Sequence, residues 1–308
     1  MRILLLAGGW STEREISLKG AYGMREAIQS LGHEVTLFDI QDFDSLLSVA
    51  SKHDLALLNI HGQPGEDGLV QAMLDAIGCP YQGTGPAGSF LSLNKAATKQ
   101  VLRHFGLPTP EWEFLPKRPS PEWRPKLPYP LFVKSDTGGS SIHLARVHNE
   151  GELKAIMDEI FEAGLGVLVE EAIEGQEVTC AVLDGKALPP VLIEPLHGTY
   201  FDFSSKYAED GAREICPAPL PDNVIQRVQE IALEAHRILG LTDISRSDCM
   251  LDREGRLFIL EVNTLPGMTK TSLVPKEARA YGMDFPELMQ QFIDCALRKK
   301  RKTAWSNT

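Results

Sequence analysis

Short apolar runs alternate with amphipathic stretches from the first residues onward. Residues 3–7 form a buried strand, and Gly8-Gly9 turn the chain. Residues 11–15 supply capping side chains for an amphipathic helix that ends near Gly32, and residues 34–39 read as a second strand. A third apolar run, 55–60, leads into the polar, glycine-rich segment 61–68 and then a helix to about Ala76. This β-α-β-α order predicts an open parallel sheet. Ligands of such sheets lie beyond the carboxyl ends of the strands, where Glu13 and His61 both fall. A solvated loop residue is the plainer alternative for each.

Further on, residues 94–105 read as a short helix carrying Lys95, and 108–130 as a proline-crowded connection. A strand at 130–134, a helix at 150–163 and strands at 167–171 and 176–183 are expected to close a second, α+β lobe. Residues 199–213 mix aromatic and polar groups and read as a lid-like loop. Pro221-Asp222 opens a helix with Val224, Val228, Ile231, Ala235, Ile238 and Leu239 on one stripe. Two short strands, 247–252 and 257–263, join through a turn at 252–255, and a last helix covers about 285–297. The expected division is 1–84, 85–174 and 175–308.

Composition narrows the class. A chain of 308 residues, 43% hydrophobic and 24% charged, is an ordinary globule long enough for several cores, and no apolar run reaches membrane-spanning length. The apolar start is too short for a signal peptide and reads as strand one. Five scattered cysteines without a CxxC pair predict neither a disulfide framework nor a zinc site, and favour a reducing cytoplasm. A net charge of -11 argues against nucleic acid or an anionic membrane as partner; only residues 298–302 are locally basic.

The chemistry concentrates near the end. Glu261 and Asn263 stand two apart in an apolar strand, so they share a face, and the hairpin can bring Asp248 opposite Glu261. Two carboxylates and an amide, an all-oxygen set, suit magnesium, which takes its remaining ligands from water and nucleotide phosphates. A solvated hairpin end is the bland alternative. Gly83–Gly88 matches G-x-G-x-x-G, but no long buried strand leads into it and Pro86 interrupts the donors, so it reads as a linker. There is no P-loop motif. The glycine-serine loop 135–141 could close over phosphate oxygens or be a plain hairpin tip.

Taken together, residues 13–18 (Glu-Arg-Glu-Ile-Ser-Leu), His61-Gly62 with Gly65-Glu66-Asp67-Gly68, Gly139-Ser140-Ser141, Lys206-Tyr207, Arg246 with Asp248, and residues 261–269 resemble the D-alanine:D-alanine ligases of the ATP-grasp superfamily. The likeness spans nearly the whole chain. It implies three α/β and α+β lobes, the first an open, Rossmann-like parallel sheet, with ATP held between the second and third. It further implies D-alanine as substrate, Mg2+ or Mn2+, a homodimer and a place in peptidoglycan precursor synthesis. Carried over by position, Lys95 and Lys134 would contact ATP phosphates, Glu170 and Glu177 adenosine, and Lys206 the γ-phosphate. Asp248, Glu261 and Asn263 would hold metal. Glu13 would take the ammonium of the first D-alanine, His61 would position it, and Ser272 with Leu273 would take the carboxylate of the second. Ser140 and Tyr207 would complete a hydrogen-bonded set with Glu13. Arg246 and the Gly267 amide would stabilise the tetrahedral oxyanion.

Ser135, His143, Gly20-Ala21, Ala172 and Ile244-Ser245 depart from the family's usual residues, and none removes a catalytic group. A paralogue joining other amino acids, a non-catalytic nucleotide sensor and, third, a nicotinamide dehydrogenase are the competing readings. Retention of Arg246, Asp248, Glu261 and Asn263 disfavours the sensor. The resemblance also implies, from Tyr207 at the lid position, an amine acceptor: a neutral phenol closes the site without repelling an ammonium, as a cationic imidazole would, while simple packing of the lid is the bland alternative. Tyr207→His is expected to lose D-alanyl-D-alanine synthesis and gain D-lactate incorporation at lower pH. Mass spectrometry of products with both acceptors present checks this, and predominant D-lactate incorporation by the unmodified protein contradicts it.

Overall fold

The structure, a computed structural model, describes residues 1–139, 143–196 and 211–299. The first layer contains β1 (Arg2–Gly8), α1 (Arg14–Ser30), β2 (Glu34–Asp39), α2 (Leu46–Ala50), β3 (Leu55–Ile60) and α3 (Leu69–Ala76). β1 pairs in parallel with both β2 and β3, giving the order β2-β1-β3. Both faces of β1 and β3 are covered, which is why these strands are apolar throughout rather than alternating. The expected parallel sheet is therefore present. α1 lies close to it through Gly20, Ala21 and Ala27, and Ser17 fastens it: Gly8 N donates to Ser17 Oγ at 2.7 Å, Ser17 Oγ donates to Asn59 O, and Asn59 Nδ2 donates back to Ser17 O at 2.7 Å. These groups are buried, and the three bonds fix α1 against the sheet, although Asn59 Oδ1 has no hydrogen-bond partner among the described residues. Residues 11–15 do not cap α1 as expected. Glu13 occupies the N-cap position without a side-chain cap bond, and Ser11 Oγ donates instead to His61 O at 2.7 Å.

The chain then forms α4 (Pro86–Leu93), α5 (Lys95–His104), β4 (Trp112–Leu115), β5 (Leu131–Ser135), β6 (Leu144–Val147), α6 (Glu150–Glu162) and β7 (Val167–Glu171). The four strands make an antiparallel sheet, β4-β7-β5-β6. Leu131, Val133, Val167 and Val169 face Leu153, Met157 and Ile160 of α6, and the period of two turns Lys134 and Glu170 to the opposite face. At the Gly83–Gly88 motif, Gly83 N donates to Asp243 Oδ2 at 2.8 Å and Pro86 sits in the first turn of α4.

The remaining elements are β8 (Gly175–Leu183), β9 (Lys186–Ala187), β10 (Val191–Pro195), β11 (Ala212–Ile215), α7 (Asp222–Ile238), β12 (Ile244–Asp252), β13 (Leu257–Asn263), α8 (Leu273–Ala280) and α9 (Phe285–Arg298). Their sheet runs β11-β10-β8-β12-β13, with β9 beside β8. Strand 176–183, expected to close the second lobe although the division at residue 175 counts it with the third, sits at the middle of this sheet, paired antiparallel to β12 from Gly175 to Leu183. The reason is its inward row: Val178, Cys180 and Val182 join Cys249, Leu251 and the Val228, Ile231 and Ala235 stripe of α7 in one core. The last helix, α9, returns to the first layer, where Leu288, Met289, Phe292 and Ile293 pack with Ile3, Leu5 and Leu57.

Where the two sheets meet, Gly175 opens β8 with no room for a side chain: a Cβ there would lie 2.0 Å from Leu251 O. The obstacle is backbone, so it cannot rotate away. Gly175→Ala is expected to destabilise the protein by about 1–3 kcal/mol. Urea unfolding measures this, and an unchanged midpoint would contradict it.

Candidate active site

The site begins with a register. Across β12 and β13, Arg246 stands opposite Asn263, Ser247 opposite Val262 and Asp248 opposite Glu261, but Cys249 pairs with Ile259. Leu260 is thus an extra residue, a β-bulge. With a regular ladder Glu261 would share the inward face of Leu257 and Ile259, which are core residues. The bulge resets the alternation: Val262 turns into the core, while Glu261 and Asn263 line the cleft. Thr179 on β8, paired with Asp248, and Glu177, paired with Met250, share the outward face with Arg246 and Asp248.

On that face the charges are tightly apportioned. Arg246 forms a two-pronged pair with Asp248, Nε to Oδ1 at 2.8 Å and Nη2 to Oδ2 at 2.7 Å. Thr179 Oγ1 donates to Oδ1 at 2.5 Å, and Asn263 Nδ2 donates to Oδ2 at 3.0 Å. Burial works against the Arg246 charge, but Asp248 more than offsets it and holds the guanidinium up. Glu261 Oε2 lies 3.7 Å from Lys95 Nζ, which also donates to Gly138 O at 2.6 Å. Among the described residues no three His, Cys, Asp or Glu side chains converge into a closed metal cage. Asp248, Glu261 and Asn263 are an open oxygen set, and its chemistry fits a hard cation that completes its shell with water and phosphate.

A cleft of about 590 Å³ opens in front. Glu13 and His61 enter it from the carboxyl ends of β1 and β3, Lys95 from α5, Arg246, Glu261 and Asn263 from the bulged hairpin, and Gly267, Ser272 and Leu273 from the following turn. Glu13 Oε2 would be 3.3 Å from a Cβ at Gly139, so the first layer and the glycine loop meet there. Burial pushes the His61 imidazole down, partly countered by Glu13, so the ring is neutral near pH 7. Ser272 precedes α8, leaving its hydroxyl and the first amides of the helix at the cleft wall, where helix N-termini favour carboxylates. A Cβ at Gly267 would approach Ser272 Oγ to 3.0 Å, so a side chain here requires the Ser272 hydroxyl to shift.

Lys134 and Glu170 lie apart from the cleft lining, in a buried cluster with Lys99. Lys134 Nζ is 3.0 Å from Glu170 Oε2 and Lys99 Nζ is 3.0 Å from Glu170 Oε1. Burial opposes the Glu170 charge, yet Lys134 and Lys99 hold its carboxyl below the ordinary range. Ser140, Lys206 and Tyr207 lie outside the described residues. His143 takes a positive φ of 56° and reaches Glu159 at 3.6 Å, away from the cleft. Sequence reasoning gave no role to Lys99 or Thr179 and quoted Glu66 only as part of a motif. Lys99 carried a signal, its spacing of four from Lys95 on one helix face; Thr179 carried none without the register.

Two antiparallel sheets flanking a charged cleft, with a parallel-sheet layer closing one end, define the ATP-grasp class of fold. The D-ala D-ala ligase C-terminus family matches residues 101–294. The D-alanine–D-alanine ligase of Desulfovibrio desulfuricans is 57% identical over 98% of this chain and 99% of its own length. The crystal structure of the Bacillus anthracis D-alanine–D-alanine ligase superposes with a TM-score of 0.89 at 34% identity, covering 98% of this chain and 99% of that one. The same enzyme complexed with ATP gives 0.87 at 33% identity, with the same coverage. This chain belongs to the D-alanine–D-alanine ligase family.

Glu66, in the floor of the cleft, accepts from Gly62 N at 3.1 Å. Burial, and then the Glu13 charge, push its carboxyl from 4.5 up to about 8. A raised acid stabilises the fold fully below its unfolded value, and that contribution is lost as pH rises through the folded one. Stability should therefore fall between about pH 4.5 and about pH 8. Glu66→Gln, which stays neutral, is expected to flatten this slope in a thermal-unfolding series against pH. An unchanged slope contradicts the assignment.

Proposed function

We propose that this chain joins two D-alanines into D-alanyl-D-alanine with ATP, through an acyl phosphate, for peptidoglycan precursor synthesis in the cytoplasm. The observation that carries the reading is the convergence on one cleft of Glu13 and His61 from the first layer, Arg246, Glu261 and Asn263 from the bulged hairpin, and the Ser272 turn. A carboxylate does not react with an amine until one of its oxygens becomes part of a leaving group. The γ-phosphoryl group of ATP therefore passes first to the carboxylate of one D-alanine, and the amine of the second attacks that carbon and releases phosphate.

Each side chain has a part in that sequence. Glu13 binds the first ammonium and neutral His61 orients that substrate. Lys95, Lys134 and Lys206 hold phosphates, and Glu170 and Glu177 hold adenosine. The Ser272 hydroxyl and Leu273 amide take the second carboxylate, which places its amine toward the acyl carbon. Arg246 and the Gly267 amide stabilise the oxyanion of the tetrahedral intermediate. Ser140 and Tyr207 close the set around Glu13. Asp248, Glu261 and Asn263 would hold Mg2+ or Mn2+, which supplies charge neutralisation for the nucleotide phosphates. The working assembly in this reading is a homodimer, with lobes divided at about residues 84 and 174.

Incubation with magnesium-ATP and a panel of D- and L-amino acids tests the reading. D-alanine alone should release phosphate and yield one dipeptide per phosphate. Phosphate release that does not depend on D-alanine, or a different dipeptide, would refute it. Glu261→Ala should abolish turnover while leaving the unfolding temperature near that of the parent; wild-type turnover at saturating magnesium contradicts the role of Glu261.

A further inference from the structure

Lys99 has no part in the mechanism above, yet it is buried against Glu170, which has one. It lies one turn beyond Lys95 on α5 and is only 1% exposed. An ammonium so placed costs several kcal/mol unless its partners are fixed. Here they are. Lys99 Nζ donates to Thr109 Oγ1 at 2.6 Å, lies 3.0 Å from Glu170 Oε1, and stands 5.8 Å from the centre of the Trp112 ring. Thr109 Oγ1 in turn donates to Ile259 O at 2.9 Å, and Ile259 N donates to Pro108 O at 2.9 Å. Through these bonds one buried amine ties β7, which carries Glu170, to β13, which carries Glu261 and Asn263.

The charge balance says what this achieves. Glu170 offers one negative charge to two ammoniums, Lys99 at Oε1 and Lys134 at Oε2, so the cluster keeps one net positive charge beside the cleft. With Lys99 gone, Glu170 would neutralise Lys134 outright and its plane would be set at one oxygen only. We propose that Lys99 is a positioning residue of the nucleotide site, which shares Glu170 with Lys134 and so leaves Lys134 its charge for an ATP phosphate and Glu170 its orientation. This rests on the reading that Lys134 and Glu170 bind ATP. Lys99 touches no reacting atom, so its loss acts on the KM for ATP rather than on kcat.

A pH signature accompanies the geometry. Burial lowers the Lys99 amine, Glu170 on β7 raises it, Lys134 on β5 lowers it and Glu261 on β13 raises it, leaving it at about 8. Lys95 and Arg103 are the other cations of α5, the latter 3.9 Å over the Trp112 ring. As pH rises through that value Lys99 loses its charge, and the KM for ATP should climb.

The test measures KM for ATP, KM for D-alanine, kcat and unfolding temperature for Lys99→Met, Thr109→Val, Lys134→Met and Glu170→Gln. Lys99→Met is expected to raise the KM for ATP about tenfold, the equivalent of about 1.4 kcal/mol, with KM for D-alanine and kcat within about threefold. It should also lose the rise above pH 8 that the parent shows. Thr109→Val should move the same constant in the same direction by a smaller factor. If Lys134→Met and Glu170→Gln raise the KM for ATP while Lys99→Met and Thr109→Val do not, the inference fails and the nucleotide reading stands. If none of the four raises it, the nucleotide reading itself fails. Should Lys99→Met not fold, an unchanged KM in Thr109→Val together with a flat alkaline profile of the parent overturns the proposal.

Discussion

One extra residue in β13 decides what the cleft can be. Strand pairing by itself would alternate Leu257, Ile259 and Glu261 into the core and leave Leu260 facing Asp248. A carboxylate driven into that apolar layer would have to be neutralised or the strand would slip. The bulge at Leu260 removes the conflict locally: the inward row resumes with Val262, and Glu261 and Asn263 arrive on the same face as Arg246 and Asp248. The core of α7 and β8 on the other side holds this register in place, because a one-residue slip of β13 beyond the bulge would turn Val262 out of that core.

The arrangement of charge follows from that face. Asp248 accepts four hydrogen bonds, two at each oxygen, so its acceptor sites are filled by Arg246, Thr179 and Asn263. For Asp248 to hold a cation, one of these donors has to turn away. Asn263 is the one able to exchange roles, since its amide offers an oxygen once Nδ2 is released. Buried ion pairs of this kind contribute little net stability because desolvation offsets their attraction, but they set position closely. The same holds for Lys99, Glu170 and Lys134. Charged groups in this protein are placed where backbone register and buried partners leave them one geometry, which is what positioning a phosphate and an acyl carbon requires.

Much of this was legible in the sequence where one signal dominates. The apolar runs at 3–7 and 55–60 read as strands, and the loops after them carried Glu13 and His61. The spacing of Glu261 and Asn263 pointed to a shared face, although the bulge that brings Glu261 there has no residue signature: Leu260 is an ordinary strand residue. Strand 176–183 was expected in the second lobe because it follows 167–171 closely in the chain; its inward valines match α7, a partner more than forty residues on. Thr179 was invisible as a functional residue, and Lys99 showed only its helical spacing from Lys95, because their roles are contacts between segments distant in sequence.

The most direct measurement of the central claim is a crystal structure with magnesium, a non-hydrolysable ATP analogue and D-alanine. The account predicts a cation with oxygens of Asp248, Glu261 and Asn263 at about 2.0–2.1 Å, the phosphates completing its shell, and the Asn263 amide turned from its present bond to Asp248. A cation held elsewhere, with Glu261 still paired to Lys95 and the outward face of β12 and β13 empty of ligand, would contradict it.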